Sequence, residues 1–269
     1  MSRNLHQFYY KVYFKDISWH DPKTAAVQIK RNNKVLTSTG LLQRMQFSDE
    51  KQPRPYMQSF NLELLYPGLV TGIGINHEAQ IEGEFKLGVH FDWTYGMPVI
   101  YGSSVKGVLR SYFMDLYDGD LDAGDLMMSI FSGVYNRDID AEKKKYGNDW
   151  GEVVKYPEKR IYKDHLSIYN RDIFFDAVIV EADNKGRILC SDSITPHGGE
   201  THDNPLKNPV PITFLKIAPG CKLEFRFKLV DTKIGDKVLK AEEKLKIFKE
   251  ILTTVGIGAK TNVGYGQLK

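Results

Sequence analysis

The segment whose residue types best suit binding chemistry is 102–110, which has the sequence GSSVKGVLR. Apolar residues recur at helical spacing after Ser103 and Ser104, so the pattern predicts a helix with one of these serines as its cap. The start of a helix presents unpaired N–H groups and the positive end of the dipole, and both attract anions. Lys106 and Arg110 would lie on one face. We therefore expect Ser103, Ser104 and Lys106 to bind a phosphate group, with Arg110 as a clamp.

A second segment suited to anion binding lies near the end of the chain, where residues 256–266 have the sequence GIGAKTNVGYG. Glycines allow a backbone to approach a ligand closely and to turn its N–H groups toward it. The segment is not a Walker phosphate loop, because Ala259 and Thr254 stand where that loop needs glycine. We expect a second phosphate to be bound here, and the residues predicted to contact it are Gly256, Gly258, Lys260, Thr261 and Asn262, with Tyr265 as a clamp or a stacking platform.

Together the two segments resemble those of the RAMP superfamily (repeat-associated mysterious proteins) of CRISPR systems. Members of that family carry a GSS[LIV]KGx[LIV]R segment and a C-terminal glycine-rich loop of this form. The similarity extends from about Met57 to the end of the chain, and its motifs resemble, in order, those of a RAMP subunit of type III-B effector complexes. These motifs are TGIG at 71–74, HFDWTYGMP at 90–98, FFDA at 174–177, ITPH at 194–197 and PVPITFL at 209–215.

The resemblance implies an α+β fold with a ferredoxin-like core, similar to an RNA-recognition motif, and large insertions. The apolar patterns agree, because they give the order β-α-β-β-α-β, which is the ferredoxin-like order. We expect a single RAMP domain over residues 1–269 with an N-terminal extension over 1–56. The charged and glycine-rich segment 118–170 is predicted to be an insertion outside the core, and 256–266 to be a glycine-rich loop.

Local patterns predict individual elements. Aromatic and polar residues alternate from Phe8 to Phe14, which is typical of a strand with an aromatic and basic outer face. Helices are expected over residues 103–117 and 237–254, where apolar residues recur at helical spacing. Residues 222–230 alternate strictly and predict a strand with one buried face.

The resemblance also implies a function. It implies a subunit that binds the backbone of CRISPR RNA (crRNA) near its 3′ end, beside other RAMP subunits and with complementary target RNA as a further partner. Contacts of this kind recognise charge and shape, so sequence selection would be left to base pairing by the guide. In that family the cutting of target RNA is assigned to a neighbouring subunit, so we expect no catalytic residue and no enzyme activity. Gly72 and His77 are further candidates for contact with RNA.

Two other functions stay open at the level of sequence. An endoribonuclease that processes precursor CRISPR RNA without a metal would need a histidine as general base and a lysine to stabilise the reacting phosphate. The side chains available for these roles are His77, His197 and His202, with Lys106 or Lys260. Alternatively, the chain is a structural subunit whose glycine-rich loop only packs on a neighbour, because RNA and protein partners both favour tyrosine and arginine at a contact surface.

Composition limits the remaining classes. The chain has 269 residues and 42% hydrophobic composition, enough for one large domain or two small ones with a real core. A net charge of +3 is only mildly basic, so binding to nucleic acid must depend on local clusters. The spacing of Cys190 and Cys221 excludes a cysteine zinc site, and we expect no metal and no cofactor. No signal peptide or long apolar run is present, which predicts a cytoplasmic protein without a membrane contact.

Overall fold

The fold combines helices with mainly antiparallel sheets, and the coarse α+β prediction is confirmed. The computed structural model describes residues 4–45, 58–72, 81–135, 144–149, 164–195 and 211–269. The α-helices with defined bounds are α1 (Leu5–Gln7), α2 (Pro22–Leu36), α3 (Leu41–Met45), α4 (Gly102–Leu116), α5 (Ala123–Met127) and α6 (Ala241–Val255), and π-helical turns follow α1 over Phe8–Val12 and α5 over Met128–Ser132.

Short 3-10 helices and β-strands complete the described elements. The 3-10 helices are Gly147–Asp149, Ile168–Asn170 and Thr261–Val263. The strands are β1 (Gln58–Glu63), β2 (Lys86–Leu87), β3 (His90–Phe91), β4 (Pro98–Ile100), β5 (Val134–Tyr135), β6 (Asp164–His165), β7 (Ile173–Phe174), β8 (Ala177–Glu181), β9 (Leu189–Ile194), β10 (Ile212–Ile217), β11 (Lys222–Lys228), β12 (Thr232–Ile234) and β13 (Lys237–Leu239).

The main sheet has the strand order β1-β11-β8-β4-β3, and β7 also pairs with β11. Each of these pairings is antiparallel. The register of β1 and β11 runs from Gln58 opposite Phe227 to Glu63 opposite Lys222. Beyond β1, Leu64 forms an antiparallel bridge with Leu268, so the end of the chain also pairs next to β1.

A smaller sheet has the order β2-β10-β9, in which β10 runs antiparallel to β9 and parallel to β2. Leu69 bridges Ile217 at the end of β10, so the chain leaving β1 passes directly to this second sheet. Two further pairs of strands, β12 with β13 and β5 with β6, form separate two-stranded units. The two sheets are therefore joined by the short segment 64–70.

The core lies between the main sheet and the helices α4 and α6. The predicted alternation in β11 is confirmed, since Leu223, Phe225 and Phe227 are buried and the residues between them are partly exposed. Phe248 of α6 packs on Phe227 with ring centroids 5.5 Å apart. Phe131 contacts Phe248 at 6.0 Å. Each aromatic pair of this kind adds about 0.5–1.5 kcal/mol beyond the burial of area.

The predicted helices are largely confirmed. The helix expected over 103–117 is α4, shifted by one residue at each end. The segment expected to be helical over 237–254 divides into β13 and α6, and the helix begins only at Ala241. Val238 and Leu239 match a helical period as well as a strand, so periodicity alone could not place this boundary.

The strand predicted over Phe8–Phe14 is wrong, because Phe8–Val12 is a π-helical turn and Tyr13 and Phe14 continue it as a turn. Residues four apart share one side of a helix, and Tyr9 and Tyr13 are accordingly both fully buried. The hydroxyl of Tyr9 donates to the carbonyl of Phe85 at 2.7 Å, and the N–H of Phe85 donates to the hydroxyl of Tyr13 at 3.0 Å. We call these two residues the tyrosine clamp. Aromatic residues in this segment satisfy both the strand and the helical period, so the pattern could not separate the two structures.

The segment 118–170, predicted to lie outside the core, contributes to it near its beginning. The helix α5 and the π-helical turn after it bury Leu126, Ile130 and Phe131 in the same apolar cluster as the main sheet. The expectation is therefore wrong for residues 123–132, because charged and glycine-rich neighbours concealed a short apolar run. The bounds of the insertion and of the extension 1–56 stay predictions.

One ion pair is enclosed in the core, between Lys244 of α6 and Asp172 just before β7. The side chains are 0% and 1% exposed, and Lys244 Nζ lies 2.6 Å from Asp172 Oδ2. Lys244 also donates to the carbonyl of Val230 at 2.7 Å. Burial lowers the pKa of Lys244 and raises that of Asp172. Their mutual attraction, these hydrogen bonds and the N–H of Val230, which donates to Asp172 Oδ1 at 2.8 Å, support the charged forms.

Replacing Lys244 by Met should lower the free energy of unfolding by about 3–5 kcal/mol, because Asp172 would stay buried without its counter-ion. Urea titration followed by circular dichroism measures the change. Lys222→Met is the matched control, since Lys222 and Glu181 form a surface pair with side chains 42% and 56% exposed. The control should cost less than about 1 kcal/mol. Equal costs for the two variants would contradict the role given to burial.

Candidate nucleic-acid interface

Helix α4 carries the first predicted site and begins at Gly102, one residue before Ser103. Its first turn is closed by hydrogen bonds from the N–H groups of Ser104 and Val105 to the carbonyl of Tyr101, at 2.8 and 3.1 Å. The core-facing side of α4 consists of Val105, Leu109 and Phe113. On the other side, Ser103 and Arg110 are exposed and Lys106 is half-buried. The predicted binding side chains therefore lie on the outer part of the helix.

A carboxylate already occupies the start of this helix. The N–H of Gly102 donates to Asp176 Oδ1 at 2.7 Å, and neither serine side chain caps the helix. The prediction that Ser103 or Ser104 is the cap is wrong, because Asp176, between β7 and β8, bonds to the first helical amide instead. A negative charge here also interacts favourably with the helix dipole. A phosphate at the N-terminus of α4 would have to compete with Asp176.

Lys106 and Arg110 lie one turn apart on α4, and Arg171 is near enough for its charge to act on Lys106. Lys106 Nζ lies 5.9 Å from the centroid of the Phe174 ring. Burial, and after it the positive charges of Arg110 and Arg171, lower the pKa of Lys106. Within the described part of the chain, none of the three forms an ion pair with a carboxylate. Sequence analysis missed Arg171 because it stands outside every motif.

The glycine-rich loop 256–266 folds on itself and on residues 68–70. The N–H of Ile257 donates to the carbonyl of Gly266 at 2.9 Å, and that of Ala259 donates to the carbonyl of Val70 at 2.8 Å. A Cβ atom on Gly258 would lie 2.5 Å from the carbonyl oxygen of Val70, and one on Gly266 would overlap the carbonyl of Ile257. These two glycines are therefore explained by backbone packing. Contact of Gly256 and Gly258 with a phosphate stays a prediction.

The part of the loop that is available to a ligand begins at Lys260. This residue is exposed and has a left-handed backbone, with φ 62° and ψ 31°. For a residue with a side chain, such a conformation costs on the order of 1 kcal/mol. The amides of Lys260, Thr261 and Asn262 donate no hydrogen bond to any group in the described ranges. Consecutive free amides of this kind can bind an anion.

Tyr265 is not available to stack on a base, which corrects the role predicted for it. It is only 8% exposed, and its hydroxyl donates to Asp192 Oδ2 at 2.8 Å. Lys216 bonds to the same carboxylate oxygen and lies 5.3 Å from the Tyr265 ring centroid. Burial and the bond to Asp192 raise the pKa of Tyr265. Tyr265 therefore fixes the glycine-rich loop to β9 and β10. No motif contained Asp192 or Lys216, so sequence offered no signal for this contact.

The two predicted segments are linked through intermediate residues. Ala259 bonds to Val70, and the hydroxyl of the next residue, Thr71, accepts the N–H of His90 at 2.6 Å. The His90 ring stacks on Tyr101, directly before α4, with centroids 4.9 Å apart. Among the described residues, no hydrogen bond or ion pair joins the predicted binding residues of one segment to those of the other. That the two segments form one shared binding site therefore stays a prediction.

The remaining candidates from the sequence are less informative. Gly72 lies against the His90 ring, since a Cβ on it would be 2.5 Å from His90 Nε2, and its contact with RNA stays a prediction. His77, His197 and His202 lie outside the described residues. In the described ranges, no group of three or more His, Cys, Asp or Glu side chains is placed to hold a metal ion. No helix there has the length and apolar composition needed to cross a membrane.

Comparison with known proteins identifies the family. The model of the RAMP superfamily matches residues 61–269. The CRISPR system Cmr subunit Cmr6 of Pyrococcus furiosus is 26% identical over 234 residues, and the alignment covers 74% of this chain and 64% of that protein. The chain therefore spans slightly less than two thirds of the length of this relative.

Two solved structures can be aligned with this chain. A chain in a cryo-EM structure of the type III-B Cmr-beta complex bound to cognate target RNA aligns with a TM-score of 0.50 at 21% identity, over 79% of this chain and 57% of that one. The crystal structure of Cmr6 from Pyrococcus furiosus gives a TM-score of 0.36 at 20% identity, over 81% of this chain and 99% of that one. The first of these supports a common fold.

Replacing Asp192 by Asn should lower the free energy of unfolding by about 1–3 kcal/mol at pH 7, because Lys216, with its side chain 6% exposed, would lose its charged partner. Burial alone would raise the pKa of Asp192, but the bonds from Lys216 and Tyr265 hold it below its usual value. This stabilisation is complete above the unfolded pKa of about 3.9 and disappears as pH falls through the lower folded pKa.

Urea titrations between pH 7 and pH 3 measure this effect, and the difference between wild type and Asp192→Asn should shrink only at the acid end. Asp118→Asn is the control, since Asp118 is exposed, and it should leave the free energy of unfolding unchanged at pH 7. A difference between wild type and Asp192→Asn that is independent of pH would show that the charge of Asp192 does not contribute.

Proposed function

Because this chain belongs to the RAMP superfamily, we propose that it is an RNA-binding, non-catalytic subunit of a type III-B CRISPR effector complex in the cytoplasm. The order of its motifs resembles the sixth subunit of such complexes, and the relative from Pyrococcus furiosus carries that name. The subunit binds the backbone of crRNA near its 3′ end. Its partners are crRNA, the complementary target RNA and neighbouring RAMP subunits.

The observation that carries this proposal is the conformation of Lys260. A glycine would adopt φ 62° without strain, yet an exposed lysine occupies the position. Strain kept at such a position indicates that the side chain is needed there. The lysine lies next to the free amides of Thr261 and Asn262. Positive charge beside unpaired N–H groups suits a phosphate group.

The contacts available here recognise the RNA backbone. Lys260 and its neighbours offer charge and amides, and Lys106 and Arg110 offer two more cations on the outer part of α4. Such contacts position a strand and do not distinguish its bases. Sequence selection is left to pairing between crRNA and its target. With Tyr265 buried, this binding depends on charge and amides and not on stacking by that ring.

The core of this subunit is a ferredoxin-like fold. In the order found for such folds, a βαββαβ chain places its last strand beside its first, and here Leu268 bridges Leu64 beyond β1. The remaining order β1-β11-β8 follows the same scheme, with α4 between β1 and β8 in sequence and α6 after β11. These pairings support the finer fold assignment.

Alanine at Lys106 and Lys260 together should weaken binding of a single-stranded CRISPR-type RNA and flatten its salt dependence. Each lost phosphate contact on a single strand makes the slope of log K against log salt shallower by about 0.7, so two contacts give about 1.4. Fluorescence anisotropy at several salt concentrations measures both quantities.

Two further variants sharpen this experiment. Lys260→Gly should raise the free energy of unfolding by about 1 kcal/mol and still weaken RNA binding, so the loss of affinity could not come from a loss of fold. Lys30→Ala is the control, because Lys30 is exposed on α2 outside the matched residues 61–269, and it should bind like wild type. Equal affinity for wild type and the double variant would favour a purely structural subunit.

The absence of catalysis is tested by alanine at His77 and His197. The purified chain should leave CRISPR precursor RNA intact, and the double histidine variant should hold RNA nearly as well as wild type, with at most the small loss of one contact at His77. Gel electrophoresis of labelled RNA after incubation without added metal measures cutting. Cutting by wild type that disappears in the variant would assign the histidines to an endoribonuclease instead.

A further inference from the structure

Two contacts, with Leu166 and Gly133, orient the Arg171 side chain. Its Nε donates to the carbonyl of Leu166 at 2.8 Å. Its guanidinium rests on Gly133, where a Cβ atom would lie 2.7 Å from Nε. The terminal Nη groups have no acceptor in the described ranges. The side chain is therefore fixed in direction while most of its donors stay unused.

Arg171 lies near two other cationic side chains, Lys106 and Arg110. Lys106 and Arg110 are one helical turn apart on α4, and both Arg110 and Arg171 are close enough to Lys106 to lower its pKa. Like charges at this separation repel each other, and no carboxylate of the described residues pairs with any of the three. An anion at this point would remove the repulsion.

Gly107 lies on the same outer part of α4 and has open space above it. A Cβ atom there would meet no heavy atom within 4 Å. A glycine inside a helix makes that helix less stable than an alanine would. Packing among the described residues does not explain why position 107 is glycine. A bare backbone at this position allows a ligand to approach the helix closely.

We propose that this outer surface of α4 binds one phosphate of the RNA strand, with Lys106, Arg110 and Arg171 as its ligands and Gly107 as the point of closest approach. The proposal rests on the proposed function, since it takes RNA as the ligand. Arg171 is then a phosphate ligand that no motif contains.

The chemistry of the site favours a phosphate over a carboxylate. Two planar guanidinium groups and one ammonium offer many donors around one point, and a phosphate has more acceptor oxygens to satisfy them. The proposed site lies on the side of α4, because Asp176 occupies the N-terminus of the helix. A strand crossing the side of α4 above Gly107 can place a phosphate among the three cations.

The experiment compares wild type with Arg171→Ala, Arg171→Lys and Gly107→Ala, using fluorescence anisotropy with single-stranded RNA at several salt concentrations. Arg171→Ala should weaken binding by about tenfold or more and make the salt slope shallower by about 0.7, and Arg171→Lys should recover part of the affinity. Gly107→Ala should melt at a higher temperature than wild type and bind RNA more weakly. A morpholino strand of the same sequence, which lacks phosphate charge, should not bind.

The outcomes separate this proposal from the proposed function. Unchanged RNA affinity in Arg171→Ala and Gly107→Ala, with a loss in the Lys260 variants, would overturn the site on α4 and leave the function intact. No binding of RNA by wild type would overturn both. Tight binding of a poly-glutamate peptide that depends on Arg171, with RNA binding unaffected by Arg171→Ala, would assign the surface to an acidic protein partner and overturn the phosphate site.

Discussion

Close contact between the backbones of residues 256–266 and 68–70 determines the geometry of the candidate interface. Gly258 and Gly266 lie against carbonyl groups that would exclude a side chain, so the loop follows one path across the segment joining the two sheets. That path holds Lys260 outward and Tyr265 inward. The ion pair of Asp192 with Lys216 fixes the buried end of the loop through the Tyr265 hydroxyl. The glycines of this loop are therefore explained first by packing, and the residues from Lys260 to Asn262 are the part that stays available to a ligand.

Sequence predicted the parts of this molecule that repeat a simple period or a family motif. The strand β11 alternates strictly and α4 has apolar residues at helical spacing, so both were found almost to the residue. The RAMP motifs correctly identified the superfamily. They also drew attention to Lys106 and Lys260, whose charge suits the predicted chemistry, and Lys260 is exposed as well.

The errors at the candidate site have a common physical cause, which is that contacts distant in sequence decided the outcome. Tyr265 looked like a stacking platform, but Asp192, which lies far earlier in the chain, provides a partner for its hydroxyl. The serines looked like helix caps, but Asp176 reaches the first amide from another part of the chain. Arg171 became a candidate ligand only because the structure places it near Lys106. Single-sequence patterns contain no information about such pairs.

The tyrosine clamp shows that the structural unit extends beyond the residues that match the superfamily. Residues 61–269 match the superfamily, while Tyr9 and Tyr13 lie before that region and satisfy both backbone groups of Phe85 within it. Phe85 precedes β2, and β2 pairs with the same strand, β10, that carries Lys216. The N-terminal segment thus acts as a structural support for the region that matches the superfamily. A relative that lacks it must satisfy the backbone before β2 by other means.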